Sequence, residues 1–293
     1  MADDKEKQNG CPSSASGTCP SAGGSGSMAQ HLQDQMVQST LSKIKQKFLV
    51  MSGKGGVGKS SIAANLAVSL SRQDHPTGLL DVDLHGPSIA TIMGIKDLLD
   101  VTPENLIIPW QFEKNLKVVS IQALMPEKDV AVIWRGPAKH GVIRQFLGDV
   151  FWGELDYLVI DSPPGTGDEP LSVAQTVKDA KAVIVATPQE VALADVRKSI
   201  AFCRKVGLSI AGVVENMGAF KCPHCGERVD LFPSGATRAM AEKMGVPFLG
   251  AVPMDPDVVK ACDQGKPVMD FAADSPFVAA MDEIAKKLTQ AGG

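Results

Sequence analysis

The sequence predicts an α/β protein in which one doubly wound, mostly parallel sheet is covered by helices on both faces and forms a single domain. Short apolar segments alternate with segments of helical periodicity along most of the chain. The strands read as continuous apolar runs, as expected when parallel strands are buried on both faces. The chain has 293 residues, of which 44% are apolar, so it can fill one large core.

The predicted elements follow in chain order. Strands are expected at residues 48–51, 76–83, 116–121, 157–161, 182–186, 210–214 and 246–252. Helices are expected at 28–45, 62–68, 193–206 and 276–288, with a short one before Gly94 and another through Ile143 and Phe146. A hairpin-like excursion is expected within 95–130. Gly207 is expected to end helix 193–206, because glycine readily adopts the left-handed conformation of a C-terminal cap.

A glycine-rich loop follows the first predicted strand and precedes a predicted helix. It consists of Gly53, Lys54, Gly55, Gly56, Val57, Gly58, Lys59 and Ser60, with Ser61 next. In this context the pattern G-x-x-x-x-G-K-[ST] is typical of a phosphate-binding loop. Its glycines allow backbone N–H groups to converge on an anion, and the helix N-terminus adds partial positive charge. Lys59 is expected to reach the terminal phosphates and the Ser60 hydroxyl a bound magnesium ion.

Three aspartates stand at the ends of predicted strands, namely Asp81, Asp83 and Asp161. Ligands of open α/β sheets bind at the carboxyl ends of the strands, so these carboxylates are expected to converge near the glycine-rich loop. Asp161 leads into Pro-Pro-Gly-Thr-Gly-Asp at residues 163–168. Prolines followed by glycines predict a switch loop that moves when the γ-phosphate leaves.

A second lysine, Lys54, directly follows the first glycine of the loop. It is poorly placed to reach its own phosphates beside Lys59. It could instead reach those of a neighbouring chain and stabilise transition-state charge, as an arginine finger does. The alternative is a solvated surface lysine.

Six cysteines are present, and the acidic, polar N-terminus is unlike a signal peptide, which predicts a cytoplasmic protein. Metal or redox chemistry is then expected before structural disulfides. Cys222 and Cys225 form a C-x-x-C pair with three interpretations: a thiol–disulfide site at a helix N-terminus, half of a zinc site, or half of a four-thiolate site completed by a second subunit. Cys203 and Cys262 are predicted to be packing residues.

The first 27 residues are rich in Ser, Gly, Ala and Pro and are predicted to be a disordered tail. The tail contains Cys11 and Cys19, for which metal or cluster ligation and chance occurrence both stay open. A leading helix is expected at 28–45 and the nucleotide-binding domain at 46–293.

Charge and hydropathy narrow the expected partners. The net charge is −4 without a basic block, which argues against nucleic acid as a partner. No apolar run approaches the roughly 20 residues of a membrane span, so no membrane association is expected.

With Lys54, the glycine-rich loop resembles the deviant Walker A motif of the MinD/ParA/nitrogenase-iron-protein class. Further stretches resemble the Mrp/ApbC-type iron–sulfur cluster carrier ATPases, namely 81–88, 134–137, 161–168, 215–217, 222–225 and 250–255. The resemblance covers about residues 40–290. Related eukaryotic scaffold proteins carry four N-terminal cysteines where this chain has only Cys11 and Cys19, which argues against a stable N-terminal cluster built by one chain.

The resemblance implies a homodimer that binds ATP and Mg²⁺ in each subunit. It also implies a labile [4Fe–4S] cluster, held by Cys222 and Cys225 of both chains and delivered to apo iron–sulfur proteins. Lys54 would act across the dimer. The remaining implied roles are magnesium binding for Ser60, Asp81 and Asp161, orientation of the attacking water for Asp83, and adenine contacts for Asn216, Pro253 and Asp255. A MinD/ParA-like spatial-organising ATPase and a zinc-bridged dimeric ATPase are the alternatives.

Overall fold

A computed structural model describes residues 24–84, 86–124, 136–222, 224–229, 232 and 235–290. Its helices are α1 (Gly24–Ser42), α2 (Lys59–Arg72), α3 (Ile89–Ile92), α4 (Gly136–Gly148), α5 (Asp168–Thr176), α6 (Glu190–Val206), α7 (Ala236–Lys243), α8 (Pro256–Asp263), α9 (Val268–Phe271) and α10 (Pro276–Gln290). Its strands are β1 (Ile44–Ser52), β2 (Thr77–Asp81), β3 (Trp110–Glu113), β4 (Leu116–Ser120), β5 (Leu155–Asp161), β6 (Lys181–Ala186), β7 (Ser209–Glu215), β8 (Phe220–Lys221), β9 (Arg228–Val229) and β10 (Phe248–Ala251).

Eight of the strands form one sheet in the order β10-β7-β6-β1-β5-β2-β4-β3. All neighbouring pairs are parallel except β3 and β4, which run antiparallel at one edge. The predicted α/β class and the doubly wound, mostly parallel sheet are therefore confirmed. Strand β1 lies centrally, and the chain leaves it towards β2 on one side and returns to β6 on the other. That reversal of strand order is where such sheets bind ligands.

Apolar side chains cover both faces of the sheet, and β1 shows how they divide. Phe48 and Val50 pack into the core layer that contains α2, α3, α8 and α10. Leu49 and Met51 pack into the opposite layer, which contains α1, α4, α5, α6 and α7. Successive side chains of a strand point to opposite faces, so a continuous apolar run serves two cores at once.

Several element boundaries differ from the prediction. Helix α1 ends at Ser42 and Ile44 already pairs with Leu155 in the sheet, so the predicted helix 28–45 runs too far at its C-terminal end. Residues 24–27, assigned to the disordered tail, belong to α1, whereas residues 1–23 with Cys11 and Cys19 lie outside the described part of the chain. Strand β2 ends at Asp81, which leaves Asp83 in the following loop.

Helices α5, α7, α8 and α9 and the hairpin β8–β9 were not predicted. Two of these helices carry start signals. In α8, Asp255 caps the N-terminus by accepting the Asp257 N–H at 2.9 Å, and Pro256 occupies the first turn. In α5, Asp168 and Glu169 stand in the first turn. No helix among the described residues is long and apolar enough to cross a bilayer.

The cap of α6 allows a stability test. Gly207 has φ 75°, and a Cβ built there would meet nothing within 4 Å. Gly207→Ala is therefore expected to lower the free energy of unfolding by about 1 kcal/mol through backbone strain alone, measured by urea titration.

Gly141→Ala is the matched control, because Gly141 lies inside α4 with equally open surroundings for a Cβ. There the same change should raise stability by about 0.5–1 kcal/mol, since alanine favours the helix. Equal effects of the two variants would contradict the strain argument.

Candidate functional site

The glycine-rich loop of residues 53–60 joins β1 to α2 at the point where the strand order reverses. Gly58 precedes α2 with φ 79°, a left-handed conformation that favours glycine. A Cβ on Gly58 would lie 2.3 Å from the amide nitrogen of Asn216. That nitrogen donates a hydrogen bond to the Val57 carbonyl at 2.9 Å. Position 58 thus requires glycine for two reasons: its backbone is left-handed, and Asn216, which directly follows β7, occupies the space of a Cβ.

A cavity of about 340 Å³ lies in front of the loop. The loop side of its lining consists of Gly55, Gly56, Gly58, Lys59, Ser60 and Ser61. The opposite side includes Asp83, Gly86, Ser88 and Pro164. Helix α2 begins at this cavity, so its free N-terminal N–H groups and the glycine backbone form a cradle suited to phosphate.

Lys59 and Asp161 form a buried ion pair at the floor of this site. Lys59 Nζ lies 2.6 Å from Asp161 Oδ1, and the two side chains are 7% and 0% exposed. The second oxygen, Asp161 Oδ2, is buried without a hydrogen-bond partner among the described residues. Burial raises the pKa of Asp161, and the Lys59 ammonium opposes that rise. The Ser60 side chain lies close to the Asp161 carboxylate. Carboxylate and hydroxyl oxygens are the kind of ligand that Mg²⁺ prefers.

Asp81 lies beside Asp161 and anchors the loop that follows β2. Its Oδ1 accepts the N–H of Asp83 at 3.1 Å. Its Oδ2 accepts the N–H of Ile89 at 3.2 Å and the Ser120 hydroxyl at 3.0 Å. Burial, with repulsion from Asp161, raises the pKa of Asp81 to about 7. Both oxygens are engaged within the chain, so a magnesium-shell role for Asp81 stays a prediction.

Asp83 lines the phosphate cavity and is about as buried as Lys59, with side-chain exposures of 9% and 7%. Its Oδ2 is 3.9 Å from Lys59 Nζ, and its Oδ1 accepts the N–H of Gly86 at 3.2 Å. The structure therefore brings the three predicted aspartates and Lys59 together.

The predicted switch loop is tied to the same strand as the glycine-rich loop. The Ser162 N–H donates to the Val50 carbonyl at 3.1 Å, and the Gly165 N–H donates to the Ser52 carbonyl at 2.8 Å. Pro164 lines the phosphate cavity, and Asp168 already belongs to α5. Two backbone hydrogen bonds thus join the predicted switch loop to β1, and the loop leads directly into α5.

Lys54 is placed differently from Lys59. It is half-buried, and among the described residues it does not line the phosphate cavity and pairs with no carboxylate. The Ser52 hydroxyl donates to the Lys54 carbonyl at 2.8 Å, which fixes the backbone but leaves the ammonium group uncommitted. The role of Lys54 across a dimer stays a prediction.

A second, mainly apolar cavity of about 250 Å³ adjoins the first and shares Gly58 and Ser61 with it. Its other lining residues are Asn216, Met217, Phe220, Pro253, Met254, Asp255, Pro256, Val258, Val259 and Phe277. A phosphate cradle continuous with an apolar slot matches the shape of a nucleotide. The cavity brings Asn216, Pro253 and Asp255 together. Asp255 already accepts hydrogen bonds from Ser275 and from the Asp257 N–H, so its contact with the base stays a prediction.

Cys222 and Cys225 lie at the tip of the small hairpin β8–β9. The Cys222 N–H donates to the Glu227 carbonyl at 2.9 Å, and the Gly226 N–H donates to the Cys222 carbonyl at 2.8 Å. The backbone N–H groups of Cys225 and then His224 face the Cys222 sulfur and lower the pKa of its thiol. The pair is therefore not at a helix N-terminus, which contradicts the thiol–disulfide interpretation based on that position.

Metal binding by this pair needs further ligands. Within the described ranges, no three His, Cys, Asp or Glu side chains are grouped to hold a metal ion. Cys222 is half-buried and Cys225 is exposed, and both are free thiols. In the described part of the chain, the hairpin thus presents two thiols without a third ligand beside them.

The two other described cysteines differ from each other. Cys203 is fully buried against Met51, and burial raises its pKa to about 11, so it is a packing residue as predicted. Cys262 is only half-buried, lines the phosphate cavity and lies 4.0 Å from the Ser61 hydroxyl. It packs against the core as predicted, but its position at the phosphate cavity was not predicted. Ser61 and Cys262 are 201 residues apart in the sequence, so no local pattern could have revealed their contact.

Comparison with known proteins decides the family. The ParA family model, described as NUBPL iron-transfer P-loop NTPase, matches residues 43–289. The chain belongs to this family. An iron-sulfur cluster carrier protein from Methanocaldococcus jannaschii is 42% identical over 98% of both chains. A cytosolic Fe-S cluster assembly factor NUBP2 homolog from Trichoplax adhaerens is 44% identical over 88% of this chain and 99% of its own.

Solved structures agree with the P-loop NTPase assignment. A nucleotide-binding protein from Archaeoglobus fulgidus, solved in complex with ADP, superposes with a TM-score of 0.72 at 41% identity, over 83% of this chain and 95% of that one. The cell division ATPase MinD from Pyrococcus furiosus gives a TM-score of 0.64 at 25% identity, over 84% and 99%. The resemblance inferred from residues 53–60 and the later motifs is thus confirmed.

The contact between Gly58 and Asn216 gives a direct test of this P-loop NTPase site. Gly58→Ala is expected to weaken ADP binding about 100-fold, or about 2.8 kcal/mol, because the new Cβ displaces the Asn216 amide and strains the loop. Isothermal titration calorimetry measures the change. Gly207→Ala is the matched control, since it places alanine at a similar φ far from the site and should leave ADP affinity unchanged.

Proposed function

We propose that this P-loop NTPase is an ATP-dependent iron–sulfur cluster carrier. It binds and slowly hydrolyses ATP, forms a homodimer, holds a labile [4Fe–4S] cluster between two C-x-x-C hairpins and transfers it to apo-proteins. One observation carries the proposal: a chain whose fold forms a nucleotide site also presents two thiols on a hairpin, without a third ligand among its described residues. The relatives from M. jannaschii and T. adhaerens bear names of the same function.

The nucleotide half of the proposal relies on residues with defined surroundings. Bound ATP supplies the γ-phosphoryl group for transfer to water. The loop glycines and the α2 N-terminus hold its phosphates, and Lys59 balances their charge. Asp161, with one free oxygen, and Ser60 would hold Mg²⁺. Asp83 is the one of the three aspartates that lines the cavity, so we assign to it the orientation of the attacking water molecule.

Dimer formation explains the two features that are incomplete in a single chain. Lys54 does not line its own phosphate cavity, so we assign it to the phosphates of the other subunit. Two copies of the Cys222–Cys225 hairpin would supply four thiolates, the number that a [4Fe–4S] cluster takes from protein. The lowered pKa of Cys222 favours the thiolate form that such ligation needs.

A MinD-like role at a membrane is less consistent with the C-terminal helix. Such a protein needs a free amphipathic face, whereas the apolar face of α10 is buried in the core through Phe277, Val278, Met281, Ile284, Ala285 and Leu288. We therefore also propose, in line with the cytosolic name of the T. adhaerens relative, that the protein acts in the cytoplasm.

Iron content tests the cluster site. Anaerobic reconstitution with iron and sulfide is expected to give a brown dimer with about four irons per two chains. Cys222→Ala should remove that iron because two of the four ligands are lost. Metal analysis and absorbance spectra measure both.

Cys262→Ala serves as the control, because it removes a half-buried thiol that is not on the hairpin and should keep the iron. An intact cluster in Cys222→Ala would exclude the proposed ligation. Stoichiometric zinc in protein purified without oxygen would favour the zinc-bridged dimer instead.

The two lysines of the loop are expected to separate binding from turnover. Lys59→Ala should abolish ATP binding, because Asp83 and Asp161 then face the phosphates without a counter-charge. Lys54→Ala should leave ATP affinity within about twofold and lower the hydrolysis rate at least about 1000-fold, the effect of losing a charge supplied in trans. Nucleotide titration and phosphate release measure the two quantities. Equal loss of binding in both variants would contradict a role for Lys54 across the dimer.

A further inference from the structure

A third cavity, of about 870 Å³, lies beside the cysteine hairpin. Cys222 and Gly226 of the hairpin line it, as do all residues of the segment 271–276 between α9 and α10. Its volume is within the range of about 300–1,000 Å³ that is typical of ligand-binding clefts. It is larger than the phosphate cavity and the apolar cavity of the nucleotide site, which measure about 340 and 250 Å³. The cavity is therefore large enough to admit side chains of another protein.

Backbone contacts hold the hairpin against the rest of the cavity. The chain leaves β7 through Met217, whose φ is 56°. Beyond it, the Met254 N–H donates to the Ala219 carbonyl at 3.0 Å, and Phe220 forms a parallel bridge with Met254. Met254 itself lines the cavity. The position of Cys222, two residues after Phe220, is thus set relative to the lining by main-chain contacts.

The two thiols of the hairpin have different surroundings. Cys222 is half-buried and lines the cavity, whereas Cys225 is exposed and is not among the described residues that line it. A molecule in the cavity therefore contacts Cys222 and not Cys225. The C-x-x-C spacing does not distinguish the two cysteines, but the cavity does.

The charged side chains of the described lining are mainly acidic, namely Asp255, Asp257 and Asp274 against one lysine, Lys260. Lys260 Nζ pairs with Asp257 Oδ1 at 2.8 Å, so these two charges balance each other. Asp255 accepts hydrogen bonds only from neutral groups, the Asp257 N–H and the Ser275 hydroxyl. Asp274 is exposed and forms no ion pair in the described part of the chain. The negative charge of two carboxylates therefore favours a cationic ligand.

Much of the remaining lining is apolar and includes Met254, Phe271 and Pro276. We propose that this cavity is the docking site for the cysteine-bearing segment of the acceptor protein, and that basic and apolar residues flank the cysteine of that segment. The inference rests on the proposed carrier function and names the chemistry of its partner.

The position beside Cys222 suits transfer by ligand exchange. The acceptor cysteine, as a thiolate, replaces Cys222 on an iron ion of the cargo. One iron–sulfur bond forms while the bond from Cys222 to the same iron breaks, and Cys222 leaves as a thiolate. No electron is transferred, so the step needs no oxidant or reductant. Cys222 is then exchanged before Cys225, which lies outside the cavity.

The test uses reduced, cluster-free protein and two peptide probes that differ only in charge. The probes are Lys-Leu-X-Leu-Lys and Glu-Leu-X-Leu-Glu, in which X carries an iodoacetamide group in place of the cysteine thiol. A protein thiolate displaces iodide and forms a stable thioether, which peptide mass spectrometry assigns to each cysteine. At Cys222 the lysine probe is expected to react at least about fivefold faster than the glutamate probe, the effect of one ionic contact in water. Exposed Cys225 should show no such preference.

A charge variant locates the source of this selectivity. Asp274→Asn should lower the preference of Cys222 for the lysine probe, because an unbalanced carboxylate of the lining is lost. Salt at about 1 M should lower it as well, since charges are then screened within about 3 Å. Glu242→Gln is the matched control, because Glu242 is exposed on α7, outside the cavity, and its loss changes the net charge equally.

A steric variant tests the cavity itself. Ala273 is exposed and lines the cavity, so Ala273→Phe narrows it. The lysine probe should then react more slowly with Cys222, whereas free iodoacetamide, which is much smaller, should react at the wild-type rate. Iron content after reconstitution should equal that of the wild type.

Equal rates of the two probes at Cys222, or the same preference at Cys225, would overturn the inference. An unchanged preference in Asp274→Asn would do so too. Loss of iron in Ala273→Phe would assign the cavity to the second copy of the chain and not to an acceptor. Failure of the carrier function shows separately, as absence of iron from reconstituted wild-type protein, because the probes are applied without a cluster.

Discussion

The site depends on the ion pair between Lys59 and Asp161, which are buried at 7% and 0% exposure at the carboxyl ends of the central strands. Three carboxylates crowd around one ammonium group. Removing one partner of a buried pair typically costs about 3–5 kcal/mol, so the arrangement tolerates little change. Asp81 is held by Ser120 and by backbone N–H groups, which leaves Lys59 and the free oxygen of Asp161 for ligands. The ends of the central strands therefore supply the charged side chains of the site.

Much of the fold and of the phosphate site could be predicted from the local sequence. Strand 48–51, the loop after it and the aspartate that ends strand 157–161 could be predicted because each is a continuous run with a regular period or a fixed spacing. The convergence of Asp81, Asp83 and Asp161 followed from parallel topology alone. The Asp255–Pro256 start signal of α8 was also readable, and it shows that capping residues carry information that apolar periodicity does not.

Other features depend on contacts between distant segments. The hairpin β8–β9 has two residues in each strand, too few for an alternating pattern. Cys262 reaches the phosphate cavity only because α8 packs beside α2 and α3 in one core layer. The positive φ of Met217 has no sequence signal, since glycine or asparagine would be expected there. Each of these features is set by tertiary packing, which a single sequence does not reveal.

The close approach of Gly58 to Asn216 also limits how such a chain can change over time. The two positions lie 158 residues apart, yet they contact each other. Only glycine fits at position 58, because the amide of Asn216 occupies the space of a Cβ and donates a hydrogen bond to the Val57 carbonyl. A larger residue at 58 requires a smaller one at 216, and that replacement gives up the bond to the loop. A substitution at either position alone breaks this contact, so we expect substitutions at 58 and 216 to occur together.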